Sequence, residues 1–231
     1  DARVDYAKNK FKQNIADIKE ANQLPIKLIQ VSVFGADTGG VLARRFIDEL
    51  LESICRKSGD EYYYEQAKVE VNFVGLFDCS RRTLFDQGDV LGVVADLAGL
   101  FVKNPLASGV INVLAGRKVI EFDKPLHRAV KRALYLVAAH ERREYRPLLP
   151  LGKLQNGWQE RLCPGISEDV TGGLLPGPER PSAELCRVPL QQMYKAAWNA
   201  GVPFPLFSTL KEKDKYLASY FVMLDDISEK S

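Results

Sequence analysis

The chain has 231 residues, 46% of them hydrophobic and 27% charged, so it is long enough to bury a full core. Its 32 lysines and arginines nearly balance 30 acids, which gives no electrostatic reason to expect a nucleic acid as partner. The four cysteines lack the C-x-x-C spacing of zinc sites and are too few for a dense disulfide framework. We therefore expect a globular chain that binds no cofactor and no nucleic acid.

The amino-terminal stretch DARVDYAKNKFKQNIADIKE is charged throughout and lacks the apolar segment of a signal peptide. The most apolar region, residues 90–116, is broken by Asp96, Lys103 and Pro105 into pieces too short to cross a bilayer. The sequence therefore predicts synthesis in the cytoplasm without a signal peptide, and no transmembrane helix.

Hydrophobic periodicity predicts the first elements. Apolar residues three and four apart indicate an amphipathic helix over 3–21, and the β-branched run KLIQVSVF at 27–34 indicates a buried strand. A glycine-rich turn over 35–40 leads into a helix over 41–56. After a polar loop, VEVNFVGLF at 69–77 predicts a second strand, which ends at Asp78.

The second half of the chain alternates apolar segments with glycine and proline. Helices are predicted at 89–102 and 106–115, inside an insertion over about 84–122 that is either a lipid-facing lid or part of the core. We predict a helix over 124–145 that carries both histidines, then a short strand, a loop over 162–181 and a helix over 188–200. The predicted domain spans 1–208, and 209–231 form a tail or the start of a further segment.

The order of these elements favours an α/β fold with a mostly parallel sheet flanked by helices, whose active groups lie at the carboxyl ends of the strands. Gly35-Ala36-Asp37-Thr38-Gly39 has the form G-x-D-x-G, one residue away from the G-x-S-x-G turn that presents a serine nucleophile in α/β hydrolases. This turn follows only one predicted helix. The expected fold is therefore α/β-hydrolase-like but lacks the early strands.

Five stretches between residues 27 and 204 together resemble the α/β-hydrolase domain of the type VI secretion phospholipase effectors, the Tle-like lipases. The first resembles the strand and helix of the family's nucleophile elbow, the second a strand that ends in the triad acid, and the fourth a loop that carries the triad histidine. In chain order they are IQVSVFGADTGGVLARRF, VNFVGLFDCS, VAAHERREYRP, CPGISEDVTGG and LCRVPLQQMYKAAWNAGVPF.

The resemblance implies three catalytic positions in this chain. The triad acid corresponds to Asp78, the nucleophile position holds Asp37, and the position of the base holds Ser167 when Pro164 and Gly165 anchor the comparison. Two of the three positions therefore lack the residue that the family's chemistry uses.

Neighbouring positions depart from the family pattern as well. Gly35, Thr38 and Gly39 occupy its elbow and oxyanion positions, but Thr38 stands where the family has arginine and Thr171 where it has the first of three glycines. The family's early strand with its Asp-Gly-Thr turn has no counterpart.

A serine elbow needs an imidazole to take the hydroxyl proton, and an acid to orient that imidazole. Without a histidine at the base position, ordinary ester hydrolysis should be nearly abolished. The sequence therefore predicts a non-catalytic binding or scaffold module, and the resemblance to the lipase effectors implies export by a type VI secretion system. Its expected partner is a protein or the secretion machinery, with a phospholipid or membrane surface as the other choice.

Two alternatives stay open. The first is an active enzyme. It is either a lipid esterase or phospholipase, or a hydrolase in which Asp37 attacks an electrophilic carbon and a relocated histidine, His127 or His140, activates water. The second is that the chain is one piece of a large assembly, in which KLIQVSVF lies at a sheet edge covered by a neighbour.

Two further groups of residues allow both a chemical and a structural interpretation. Cys79 is either a nucleophile or a small buried side chain. Glu168 and Asp169, together with Asp37 and Asp78, form either a site for a divalent cation such as calcium or an acidic loop without one.

Overall fold

The computed structural model describes residues 2–22, 24–80, 124–143, 148–172 and 184–221. The helices predicted at 89–102 and 106–115, and with them the insertion over 84–122, fall outside the described residues. The described part has a mixed α/β architecture in which a central sheet is flanked by helices.

Six strands in the described residues form one sheet. In chain order they are β1 (Leu28–Ala36), β2 (Arg56–Ser58), β3 (Glu61–Tyr64), β4 (Ala67–Phe77), β5 (Arg132–Ala138) and β6 (Trp158–Cys163). β1, β4, β5 and β6 lie side by side and run parallel, and the register aligns Ala36 with Phe77 and Ala138 with Cys163. The carboxyl ends of these four strands therefore meet along one edge of the sheet.

The helices pack on this sheet or follow it. They are α1 (Ala2–Ala21), α2 (Thr38–Glu49), which continues as a π-helical turn (Leu50–Ile54), α3 (Ser167–Thr171), α4 (Arg187–Asn199) after a 3₁₀ turn (Glu184–Cys186), α5 (Phe207–Lys213) and α6 (Lys215–Ser219). The bounds predicted for α1, α2, α4, β1 and β4 are confirmed to within a few residues. The expectation that β1 is a buried strand is wrong, because among the described strands it pairs only with β4 and none of its residues is fully buried. None of the helices in the described part combines the length and apolar character needed to cross a bilayer.

The prediction of one helix over 124–145 is wrong. Residues 124–131 form an irregular segment and β5 follows, with every residue after Arg132 buried. The run ALYLVA is continuously apolar because a central parallel strand is covered on both faces. Alanine and leucine also favour helices, so a short apolar run of this kind does not by itself distinguish the two structures.

Two segments predicted as loops contain regular structure. The polar stretch after α2 forms the β2–β3 hairpin, whose turn contains Gly59 with a positive φ of 61°. β3 then pairs antiparallel with the first residues of β4. The predicted loop over 162–181 begins with the end of β6 and contains the single helical turn of α3.

The two faces of the sheet bury separate clusters. α2 packs on one face through Ala43 and Ile47, together with Leu50 and Leu51 of the π-helical turn. α4 packs on the other face through Met193 and Ala197. The described part is therefore a three-layer sandwich.

A bulge in β4 distributes its side chains between these two faces. Val31 pairs with Val71 and Ser32 with Phe73, so Asn72 is the extra residue of β4. The bulge shifts the alternation by one, since Val71 and Val74 both face the α2 side. The buried Asn72 amide donates to the carbonyl of Ala200 at 2.7 Å, which ties the bulge to the end of α4.

We expect Leu50→Ala to lower the free energy of unfolding by about 2–5 kcal/mol, because it opens a cavity where α2 meets the sheet. Leu50 is fully buried, whereas Leu24 is 80% exposed. The matched control Leu24→Ala should change the stability by no more than about 0.5 kcal/mol. Urea denaturation of the two variants measures the difference, and equal effects would contradict this packing.

Candidate functional site

The predicted site residues lie at the edge of the sheet where the parallel strands have their carboxyl ends. Asp37 follows β1, Asp78 follows β4, His140 follows β5, and Ser167 begins α3 shortly after β6. Because neighbouring parallel strands end at the same edge, four segments that are distant in sequence contribute to one region.

The turn between β1 and α2 is a tight elbow. Asp37 has φ 50° and ψ −127°, a left-handed backbone conformation that is strained for a residue with a side chain. A Cβ on Gly35 would lie 2.6 Å from the carbonyl oxygen of Gly39, and a Cβ on Gly40 would lie 1.8 Å from Sγ of Cys79. The glycines at 35 and 40 are therefore needed for the helix to start this close to the strand.

The Asp37 carboxylate is bonded to a residue of the neighbouring strand end. Its Oδ1 accepts a hydrogen bond from Oγ of the buried Ser80 at 2.6 Å, and its backbone N–H donates to the carbonyl of Phe77 at 2.9 Å. Ser80 was not among the predicted site residues. The only sequence signal for it is its position two residues after the acid in FDCS.

Asp78 is buried and uses its carboxylate to hold the next strand. Its Oδ1 accepts the backbone N–H of Ala138, the last residue of β5, at 2.9 Å. Asp78 also has a positive φ, 41°. The acid that the resemblance assigns to the triad thus bonds a backbone amide in this chain.

The two histidines lie at opposite ends of the sheet. His140 follows β5 at the carboxyl edge, where its Nδ1 accepts the N–H of Gly165 at 3.0 Å and its own N–H donates to the carbonyl of Gly165. His127 precedes β5, and its Nδ1 accepts the N–H of Ala129 at 3.1 Å. Burial lowers the pKa of His127. In the described part of the chain, neither imidazole hydrogen-bonds Asp37.

Cys79 follows Asp78 and lies beneath the elbow. It is fully buried, and burial raises the pKa of its thiol to about 12. Because the thiolate is the nucleophilic form of cysteine, this environment suits a packing residue rather than a reactive one.

Ser167, Glu168 and Asp169 form the first turn of α3. Ser167 is buried, and its N–H donates to Oε2 of Glu141 at 3.3 Å. Asp169 accepts the N–H of Ile166 at 2.8 Å, and Glu168 forms a two-point ion pair with Arg143 at 2.7 and 2.8 Å. The two proposed calcium ligands are therefore engaged in a helix cap and a salt bridge.

Arg143 also pairs with Glu141, so one guanidinium joins the segment after β5 to α3. Its hydrogen bonds are the main cause that lowers the pKa of Glu141 to about 2, and the carboxylates in turn raise the pKa of Arg143. This network fixes the position of Ser167 relative to the end of β5.

We expect Asp37→Gly to be more stable than Asp37→Ala by about 1 kcal/mol, because glycine adopts the observed φ and ψ without strain. Both variants lose the bond to Ser80, so that loss cancels in the comparison. Urea denaturation measures the difference. If alanine were equally well tolerated, the backbone of residue 37 would not be strained.

The Glu141 pair should produce an acid-dependent loss of stability. The folded pKa of about 2 lies below the ordinary 4.5, so the stabilisation is present above pH 4.5 and is lost as the pH falls toward 2. We expect a contribution of about 1 kcal/mol, since solvent screens a partly exposed pair. Glu141→Gln should flatten this part of the stability-against-pH curve, whereas Glu20→Gln on the exposed face of α1 should leave it unchanged.

Comparison with known proteins gives a likeness of fold. No protein-family model and no curated protein matches the chain. The chain is similar to the crystal structure of an uncharacterized protein from Pseudomonas aeruginosa, with a TM-score of 0.53 and 20% identity over 95% of this chain. It spans 29% of the length of that protein. At this identity the likeness concerns the fold alone, a mixed α/β architecture with a sheet flanked by helices.

Proposed function

We propose that this chain is an α/β-hydrolase-like domain, similar to the type VI secretion phospholipase effectors, that has lost its catalytic triad and acts as a binding or scaffold module. The observation that carries the proposal is the strained elbow, in which the nucleophile position presents Asp37 bonded to Ser80 instead of a serine bonded to an imidazole.

The backbone supports the hydrolase part of the proposal. A sharp strand-to-helix turn that holds its central residue at positive φ is the device by which α/β hydrolases present a nucleophile. Here the same device holds residue 37 between β1 and α2, at the carboxyl edge of parallel strands. Such an edge is where ligands of open α/β sheets bind.

The side chains support the non-catalytic part. A carboxylate at the nucleophile position, here that of Asp37, has no hydroxyl proton to give up when it meets a substrate. His140 is the imidazole at the same edge, and its Nδ1 accepts a backbone N–H instead of facing a serine. Among the described residues this edge therefore lacks a serine bonded to a histidine, the pair that transfers the proton in such hydrolases, and this supports a non-catalytic role.

The strand that leads into the elbow offers a surface for a partner. β1 pairs with β4, and none of its residues is fully buried in the described part. Leu28 is 47% and Phe34 39% exposed. Among the described strands β1 is an apolar strand at the edge of the sheet, which suits contact with a protein or a lipid surface and supports a role in binding. Export by a type VI secretion system is part of the same proposal and rests on the sequence resemblance.

A second candidate rests on the same turn. Asp37 stands at the nucleophile position, and an oxygen of its carboxylate can attack an electrophilic carbon while the leaving group departs with the bonding electrons. Water must then hydrolyse the resulting ester, and a base must accept a proton from that water. His140 is the candidate base at this edge.

Release of fatty acid from phospholipid vesicles distinguishes the two candidates. We expect the wild-type chain to release no more fatty acid than a heat-denatured sample, because neither imidazole is hydrogen-bonded to Asp37 among the described residues. Asp37→Asn, which keeps the size of the side chain and removes its charge, should then behave like the wild type.

Release by the wild type that is lost in Asp37→Asn would overturn the binding-module proposal in favour of Asp37 as a nucleophile. Flotation with the same vesicles tests the partner. Comigration of the wild type would favour a lipid surface, and its absence would leave a protein as the partner.

A further inference from the structure

A second cluster of polar side chains lies at the end of α2 that is distant from the elbow. Asp48 belongs to the last turn of α2, Glu52 to the π-helical turn that follows, and His127 to the segment that enters β5. One ligand atom from each residue, two carboxylate oxygens and one ring nitrogen, lie within 4.8 Å of one another. The cluster joins segments that are 75 residues apart between Glu52 and His127.

Local structure directs the three side chains toward one point. Asp48 and Glu52 are four residues apart and so share one face of the helix. The His127 ring packs edge-on against Tyr62 with centroids 5.7 Å apart, and its Nδ1 accepts the N–H of Ala129. Nε2 is therefore the ring nitrogen that remains available to a ligand.

The carboxylates of Asp48 and Glu52 have no hydrogen-bond or ion-pair partner among the described residues. In the described part of the chain, neither Asp48 nor Glu52 accepts a hydrogen bond or forms a salt bridge. Burial, followed by the charge of Glu52, raises the pKa of Asp48 to about 6. Two unpartnered carboxylates this close together repel each other, and a bound cation relieves that repulsion.

The nearby cations do not occupy this position. The two terminal guanidinium nitrogens of Arg44, Nη1 and Nη2, donate to the carbonyls of Leu149, Pro150 and Lys124 and are thus bonded to the backbone. A surface cavity contains this cluster and is also lined by Lys57 and Lys124, but among the described residues neither lysine forms a salt bridge with Asp48 or Glu52. Space for a cation between the acids and the imidazole is therefore left open.

We propose that Asp48, Glu52 and His127 bind a divalent transition-metal cation, and that this cation clamps the end of α2 to the segment entering β5. One imidazole nitrogen with two carboxylate oxygens suits Zn²⁺, which takes four ligands and would complete its shell with water. Calcium would require six or more oxygen ligands, and magnesium prefers oxygen ligands throughout.

Binding has a local consequence at His127. Coordination through Nε2 requires the neutral tautomer that carries its proton on Nδ1. Nδ1 can then no longer accept the N–H of Ala129, so the metal bond replaces this hydrogen bond. The backbone N–H of Ala129 therefore reports whether a metal ion is bound to His127.

Titration of the full chain with Zn²⁺, after removal of metals with a chelator, tests the proposal. We expect one equivalent to bind, to raise the melting temperature and to shift the Ala129 amide resonance. His127→Ala and Asp48→Asn should each weaken binding at least about 10-fold. His140→Ala removes the other histidine of the chain and is the matched control, which should bind as the wild type does.

Equal binding by the wild type, His127→Ala and Asp48→Asn would overturn the proposal, because the cation would then lie at other groups such as the cysteines. Absence of binding to the wild type would overturn it as well. Glu52→Gln, at an exposed position, should weaken binding as well, so the conclusion does not depend on the folding of His127→Ala. Far-UV circular dichroism of each variant verifies that the sheet has formed.

Discussion

The close approach of α2 to the ends of β1 and β4 is the constraint on which the rest of the structure depends. It requires a residue without a side chain at 35 and at 40, since a methyl group at either position would overlap the backbone of the turn or Sγ of Cys79. Once the turn closes, Asp37 takes its strained conformation and α2 runs back along the sheet. That direction brings the buried face of α2 onto the core and its far end to the segment entering β5.

The polar groups at the carboxyl edge serve mainly to join neighbouring strand ends. Ser80 bonds Asp37, Asp78 holds the end of β5, and Gly165 and His140 bond each other twice. In a hydrolase with a working triad, equivalent side chains must remain available to substrate and to each other. At this edge the described hydrogen bonds of Ser80, Asp78 and His140 instead join segments of the fold. This difference is the physical basis for proposing binding rather than catalysis.

The two ends of α2 carry carboxylates that differ in their hydrogen bonding. Its first turn adjoins the elbow, where the carboxylate of Asp37 is already hydrogen-bonded. Its last turn and the π-helical turn carry Asp48 and Glu52, whose carboxylates lie near His127 and accept no hydrogen bond from the residues that the structure describes. A π-helical turn at this point is consistent with a functional role, because such turns occur often at ligand sites. The proposed cation and the proposed binding surface thus lie at opposite ends of one helix.

The amphipathic helices, the β1–turn–α2 unit and β4 can be predicted from the sequence, because periodic apolar residues and glycines encode these elements locally. The prediction from the sequence misassigned β5, since an apolar run such as ALYLVA becomes a strand only when other elements cover both of its faces. It named Asp37 and Asp78 but missed Ser80, and it did not connect Asp48 with His127. These contacts depend on the assembled fold, because the pairing of β1 with β4 and the path of α2 bring together residues that no short-range pattern relates.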